Sequence, residues 1–140
     1  MRLLGLDWGD KAIGVSVSDP LRLTAQGVAV IKRRGIEKDL EELRELCNHF
    51  QVERIVLGLP ISMDGSRGKQ VEKVEGFAAL IEERLKIPVT FWDERLTTAA
   101  AERTLLKADV ARRKRRQVID KMAAVLILQG YLDRQRLDSS

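Results

Sequence analysis

The stretch Leu3-Leu4-Gly5-Leu6-Asp7-Trp8-Gly9-Asp10-Lys11-Ala12-Ile13-Gly14-Val15-Ser16-Val17 decides how the rest of the chain is read. Residues 3–8 read as a buried strand. Across 12–17, Ile13, Val15 and Val17 alternate with Gly14 and Ser16 in the two-residue period of a second strand. Gly9-Asp10 between them is a turn, Asp19-Pro20 marks another, and Gly27 to Ile31 reads as a third strand. Two short connections in succession imply an antiparallel meander.

The period then changes. Ile36, Leu40, Leu43, Cys47 and Phe50 recur at helical spacing. Arg54 to Leu59 is a near-continuous apolar run, the pattern of a strand covered on both faces. A loop from Pro60 to Lys69 follows, then a helical stripe of Val71, Val74, Ala78, Ile81 and Leu85. Val89 to Trp92 is a further strand, Thr97 to Lys107 a helix, and Val118 to Leu132 a last helix. The order βββαβαβαα predicts an α/β fold, a five-stranded mixed sheet with helices on its faces.

The chain has 140 residues, 44% hydrophobic and 33% charged, which fits a single domain spanning 1–140. Its longest unbroken apolar run, Met122 to Leu128, is far short of the ~20 residues of a membrane span. Asp7 interrupts the N-terminal apolar stretch too early for a signal peptide, so a cytoplasmic, non-membrane protein is expected. The single cysteine, Cys47, excludes an internal disulfide and a multi-cysteine zinc site. With one histidine, His49, chemistry falls to carboxylates, hydroxyls and a hard metal ion. The six aromatics are scattered, which counts against a single-strand binder built on stacking platforms.

Net charge is +4, and the excess is local. Residues 111–140 hold eight basic and three acidic side chains, centred on Arg112, Arg113, Lys114, Arg115 and Arg116. Five consecutive cations repel one another, should be exposed, and favour a polyanion such as a phosphate backbone. The plainer alternative is a solvated basic turn before the last helix.

Three acidic positions stand out. Asp7 lies inside an apolar strand on the face of Leu3 and Gly5, and a buried carboxylate needs a cation, a metal or several donors. Capping of the following turn is its alternative. Asp93-Glu94 ends the strand Val89 to Trp92, where ligands gather in parallel α/β regions. Alternation puts Asp93 with Phe91 and Glu94 with Trp92; the alternative is capping of the next helix. Asp120 opens the last helix beside the small Ala123 and Ala124, which permit close approach to the sheet. Such carboxylates bind hard divalent ions through oxygen, the arrangement used to hydrolyse phosphodiesters.

These residues also carry a family resemblance. Leu4 to Asp19, Val56-Gly58-Leu59-Pro60 with Met63-Asp64-Gly65, Asp93-Glu94-Arg95-Leu96-Thr97-Thr98, and Asp120-Lys121-Met122-Ala123-Ala124 together resemble, in family order, the motifs of the YqgF/RuvX family. The resemblance implies an RNase H-like fold similar to Holliday-junction resolvases, and a nuclease dependent on Mg²⁺ or Mn²⁺. It implies 5′-end maturation of pre-16S ribosomal RNA in bacteria. The alternatives are resolution of branched DNA, and a non-catalytic, ribosome-associated binding factor. Carried over by motif, Asp7, Glu94 and Asp120 are the catalytic metal ligands, with Asp93 the rival of Glu94. Lys11, Arg95 and the cluster Arg112, Arg113, Lys114, Arg115, Arg116 are the expected nucleic-acid contacts.

The opening motif departs from the family pattern at Ala12, where a basic residue is usual. Junction resolvases place their second acid at the end of the fourth strand, where this chain has Gly58-Leu59-Pro60. Lys11 either neutralises a phosphate or pairs with Asp10, and Arg95 either clamps a phosphate or pairs with its acidic neighbours. Asp64 to Lys69 lacks the spacing of a nucleotide-binding loop. Cys47 is expected in the core and His49 at the surface or helix end. The sequence is compatible with a monomer or a homodimer.

Overall fold

The structure is a computed structural model that describes residues 1–96 and 112–139, with side chains at all of these except 112–117 and 139. Strands β1 (Arg2–Trp8), β2 (Ala12–Ser18) and β3 (Ala25–Lys32) are followed by helix α1 (Ile36–Phe50) and strand β4 (Val52–Leu59). Helix α2 (Lys69–Leu85), strand β5 (Val89–Asp93), a 3₁₀ turn (Glu94–Leu96) and a long helix α3 (Arg112–Ser139) complete the described chain. The helix expected at Thr97 to Lys107 lies outside the described residues.

The sheet order is β3-β2-β1-β4-β5. β1, β2 and β3 pair antiparallel, as the short connections require, whereas β4 joins β1 in parallel and β5 joins β4 in parallel. The five-stranded mixed sheet and the opening meander are therefore those expected from the pattern.

Alternation along each strand sorts residues onto two faces. Leu4, Leu6, Ile13, Val15, Ile55 and Leu57 pack with α1 and α2, which contribute Leu40, Leu43, Val74 and Ile81. On the other face Leu3, Val56 and Trp92 meet Ile127, Leu128 and Leu132 of α3. Each fully buried aliphatic side chain of this kind contributes about 1.5–3 kcal/mol.

The α3 face of β1 and β2 is built of small residues. A Cβ on Gly5 would stand 2.7 Å from the Leu128 Cβ and 3.0 Å from the Ala124 carbonyl oxygen. Glycine inside a strand marks such a close approach of another backbone. The buried Ser16 hydroxyl donates to the Ala124 carbonyl at 2.7 Å, tying the helix to the sheet where no larger side chain fits. Ser18, also buried, accepts the Leu3 N–H at 2.9 Å.

Several boundaries differ from the sequence expectation: β4 starts at Val52, not Arg54, and α3 runs to Ser139, not Leu132. β3 begins at Ala25, because Gln26 and Ala25 still find partners in Val17 and Ser18. α3 is already formed at Arg112, ahead of the expected Val118, so the backbone of Arg112, Arg113, Lys114, Arg115 and Arg116 is helical and not a turn. The first described turn of this helix carries no acidic residue. Pattern reading missed this turn because these polar residues carry no apolar period.

Candidate active site

The glycines that admit α3 also organise the acids. Asp7 pairs across the ladder with Gly14 on β2. On its other side the Leu6–Leu57 register carries Asp7 alongside Gly58 of β4. Asp7 is thus flanked by two residues without side chains, on the face covered by α3.

The gap at Gly14 is filled by Asp120, and the gap at Gly58 by Ile127 of α3 with Glu94 beside it. A Cβ on Gly14 would lie 1.9 Å from the Asp120 carbonyl oxygen and 3.2 Å from its Cα, so the backbone of Asp120 rests on β2 next to Asp7. A Cβ on Gly58 would stand 3.2 Å from Glu94 Oε2. Strand β1, the turn after β5, and the N-terminal part of α3 therefore meet at one corner of the sheet. All three acids are half-buried.

Asp93 faces elsewhere. Its Oδ1 accepts the Arg95 backbone N–H at 2.9 Å and Nε at 3.1 Å, while Oδ2 accepts Nε at 3.0 Å and Nη2 at 2.8 Å. The Arg95 hydrogen bonds hold its carboxyl below the usual carboxylate range, and the pair raises the guanidinium in turn. Alternation placed Glu94 with Trp92, and Gly58, which Glu94 covers, is the ladder partner of Trp92.

Lys11 lies exposed in the β1–β2 turn. Asp10, its sequence neighbour, pairs with Lys73 of α2 at 3.1 Å. His49 is exposed and Cys47 buried, as expected, and burial pushes the thiol up to about 12. The basic cluster occupies the first turns of α3, and Arg116 precedes Asp120 by one helical turn, about 6 Å along the axis.

The network behind the β1–β2 turn has no pairwise signature in the sequence. Arg33 donates from Nη1 to the Gly9 carbonyl at 3.0 Å and from Nε to Asp39 at 2.7 Å, and its guanidinium lies 4.6 Å from the Trp8 ring centroid. Asp39 is 1% exposed and also accepts the Arg34 N–H at 2.9 Å. This buried ion pair fixes the turn that follows Asp7 from the side opposite α3. Gly14 and Gly58 were missed too, although glycine within an apolar strand is a legible signal of close approach.

The donor set at the corner, three carboxylates without thiolate or imidazole, fits a hard divalent ion. The two glycines admit the backbone of Asp120 and the side chains of Ile127 and Glu94 close to the strand that carries Asp7. Among the described residues no group of three or more His, Cys, Asp or Glu side chains stands in position to hold an ion. The fit is therefore one of donor chemistry and placement. A groove of about 560 Å³ opens at the other end of the sheet, beside Leu3, Arg54 and Tyr131, and none of the expected site residues lines it.

A sheet of this order with helices on both faces is the RNase H-like architecture of the RuvC resolvases. "T. thermophilus RuvC in complex with Holliday junction substrate" superposes with a TM-score of 0.64 at 15% identity, covering 100% of this chain and 98% of that one. "Thermus thermophilus RuvC structure" gives 0.56 at 15%, covering 97% and 96%. Within that class the chain belongs to the family described as RuvX: Holliday junction resolvase, which it matches over residues 1–134. A relative from Clostridium kluyveri, "Putative pre-16S rRNA nuclease", is 56% identical over 134 residues, 96% of this chain and 98% of the relative. A relative of the same name from Heliobacterium modesticaldum is 57% identical over 133 residues, 95% of this chain and 89% of the relative. Among the described residues no helix is long and apolar enough to cross a membrane.

Proposed function

We propose that this chain is a metal-dependent endonuclease that hydrolyses phosphodiester bonds in structured RNA, maturing the 5′ end of pre-16S rRNA in the bacterial cytoplasm. The observation that carries the reading is the corner itself: Asp7 between Gly14 and Gly58, with Asp120 resting on one glycine and Glu94 on the other. The names of relatives at 55–57% identity supply the substrate.

Asp7, Glu94 and Asp120 would hold Mg²⁺ or Mn²⁺. When bound, the ion supplies Lewis acidity for attack of water on phosphorus and for departure of the leaving oxygen. Asp7, paired with Gly14 and following directly on the Leu6–Leu57 pair, is the rigid member of the set. Glu94 and Asp120 belong to separate elements, so the site would form only when the fold is complete. Lys11, Arg95, Arg112, Arg113, Lys114, Arg115 and Arg116 would bind the sugar-phosphate backbone.

The RuvC-type fold and the family description favour a second reading, cleavage of four-way DNA junctions. Symmetric paired cuts need two sites, hence a homodimer, whereas rRNA end trimming needs only a monomer. The test offers a pre-16S fragment and a four-way junction in parallel, with and without Mn²⁺, to wild type and Asp7→Asn. RNA cleavage that requires both Mn²⁺ and Asp7 supports the first reading. Paired junction cuts without RNA cleavage support the second. Equal cutting by both proteins refutes the assignment of Asp7.

A further inference from the structure

We propose that Arg95, gripped along one edge by Asp93, presents its other edge as a subsite for a backbone phosphate beside the acid corner, with Asp93 as a positioning residue. This rests on the nucleic-acid reading and deepens it. A guanidinium has a side edge, Nε and Nη2, and an end edge, Nη1 and Nη2, each able to bind a carboxylate or phosphate through two parallel hydrogen bonds. Asp93 takes the side edge, at 3.0 Å to Nε and 2.8 Å to Nη2. The Arg95 backbone N–H, at 2.9 Å from Oδ1, fixes the same carboxylate from below. Among the described residues no hydrogen bond engages Nη1 of the end edge, the Asp64 carboxylate acts on the guanidinium only through space, and the side chain remains 34% exposed.

That edge opens toward the loop between β4 and α2. Nη1 lies 3.5 Å from the point where a Cβ on Gly65 would stand. Gly65 adopts a φ of 86°, a conformation that side chains disfavour. The loop is internally fastened: the Gly65 N–H donates to the Ser62 carbonyl at 2.8 Å, Ser62 N–H to the Ser66 carbonyl at 3.1 Å, and Ser66 N–H to Asp64 Oδ1 at 2.9 Å. A phosphate on the end edge would rest between this loop and the 3₁₀ turn.

Neighbouring residues thereby divide the work. Glu94 Oε2 covers Gly58 at the acid corner, while Arg95 turns back onto Asp93. A phosphate on Arg95 is accordingly a neighbour of the scissile one. It also follows that Asp93 is not a metal ligand: both its oxygens already serve a guanidinium, whose positive charge disfavours a second cation there.

A double-mutant cycle read by RNA binding tests this. A fluorescein-labelled pre-16S fragment is titrated with the full chain in EDTA, using wild type, Asp93→Ala, Arg95→Ala and the double variant. Loss of a charge-assisted phosphate contact predicts about tenfold weaker binding for Arg95→Ala. Asp93→Ala is expected to lose roughly three- to tenfold, and the double variant no more than Arg95→Ala alone. The slope of log affinity against log salt should fall by about one in Arg95→Ala, which a merely structural role would not produce. Asp93→Asn, with one acceptor oxygen kept, should recover part of the loss and controls for folding. Multiplying effects, an unchanged salt slope, an Asp93→Ala affinity within about twofold of wild type, or no RNA binding by wild type would each overturn the proposal. Failure of the nuclease reading shows separately, as absence of Mn²⁺-dependent cleavage by a chain that still completes the cycle.

Discussion

Replacing Gly14 by alanine places one methyl group where α3 crosses β2. The added Cβ would sit 1.9 Å from the Asp120 carbonyl oxygen and 2.5 Å from its carbonyl carbon, against an ordinary contact beginning near 3.4 Å. The helix must therefore retreat by roughly 1.5 Å, because the obstacle is backbone and cannot rotate aside. Overpacking of this kind costs about 3 kcal/mol, and for a chain of this size lowers the melting temperature by roughly 10 °C. A misplacement near 1 Å costs a catalytic site about 100-fold, and here it falls on the segment carrying Asp120. Gly58→Ala separates the two effects, since its nearest obstacle is the terminal Ile127 methyl at 2.5 Å, which can turn away, and its next is Glu94 Oε2 at 3.2 Å. It should lose activity out of proportion to stability. Gly76→Ala, on α2 with open space around it, should gain about 1 kcal/mol and keep full activity. Thermal melts and single-turnover cleavage by the three variants are the assay. A Gly14→Ala protein with wild-type melting and wild-type cleavage would refute the glycine-seat argument.

Three further outcomes follow from the same packing. Arg33→Met strands the buried Asp39 carboxylate and should cost about 3 kcal/mol by urea unfolding, while Arg33→Met with Asp39→Leu should cost less. Cys47, its thiol raised to about 12 by burial, should resist iodoacetamide in the folded protein and react on unfolding. Because the folded state holds that proton more tightly, its contribution to stability is present below the unfolded thiol value near 8.5 and is lost as pH rises from there toward 12. The Asp93–Arg95 pair has the opposite sign. Its depressed carboxyl contributes above the unfolded value near 3.9 and is lost as pH falls through the folded one, so RNA binding through Arg95 should persist at pH 5.

Much of the architecture was legible because strands and helices differ in period. The alternation Ile13, Val15, Val17 and the stripe Leu40, Leu43, Cys47 identify their elements and their buried faces. The parallel addition of β4 beside β1 follows from the intervening helix, not from any residue. Asp7 was legible as a carboxylate within an apolar run, and Asp120 by its small helical neighbours. Which of Asp93 and Glu94 pairs with Arg95 was not, because nothing in two adjacent carboxylates tells which one the guanidinium reaches. Nor was the Asp10–Lys73 pair, whose partners lie 63 residues apart. The Arg33–Asp39 pair, close in sequence, was hidden for a different reason: nothing in a run of cations tells which one turns inward.

The central claim is that Asp7, Glu94 and Asp120 act as one catalytic unit, and single-turnover cleavage of a pre-16S fragment in Mn²⁺ measures it most directly. Asp7→Asn, Glu94→Gln and Asp120→Asn should each fall to near the uncatalysed background, and Asp7→Asn combined with Asp120→Asn should fall no further, as residues that work together do. Any one single variant cutting within about threefold of wild type, or a double variant whose loss is the product of its singles, would contradict the account.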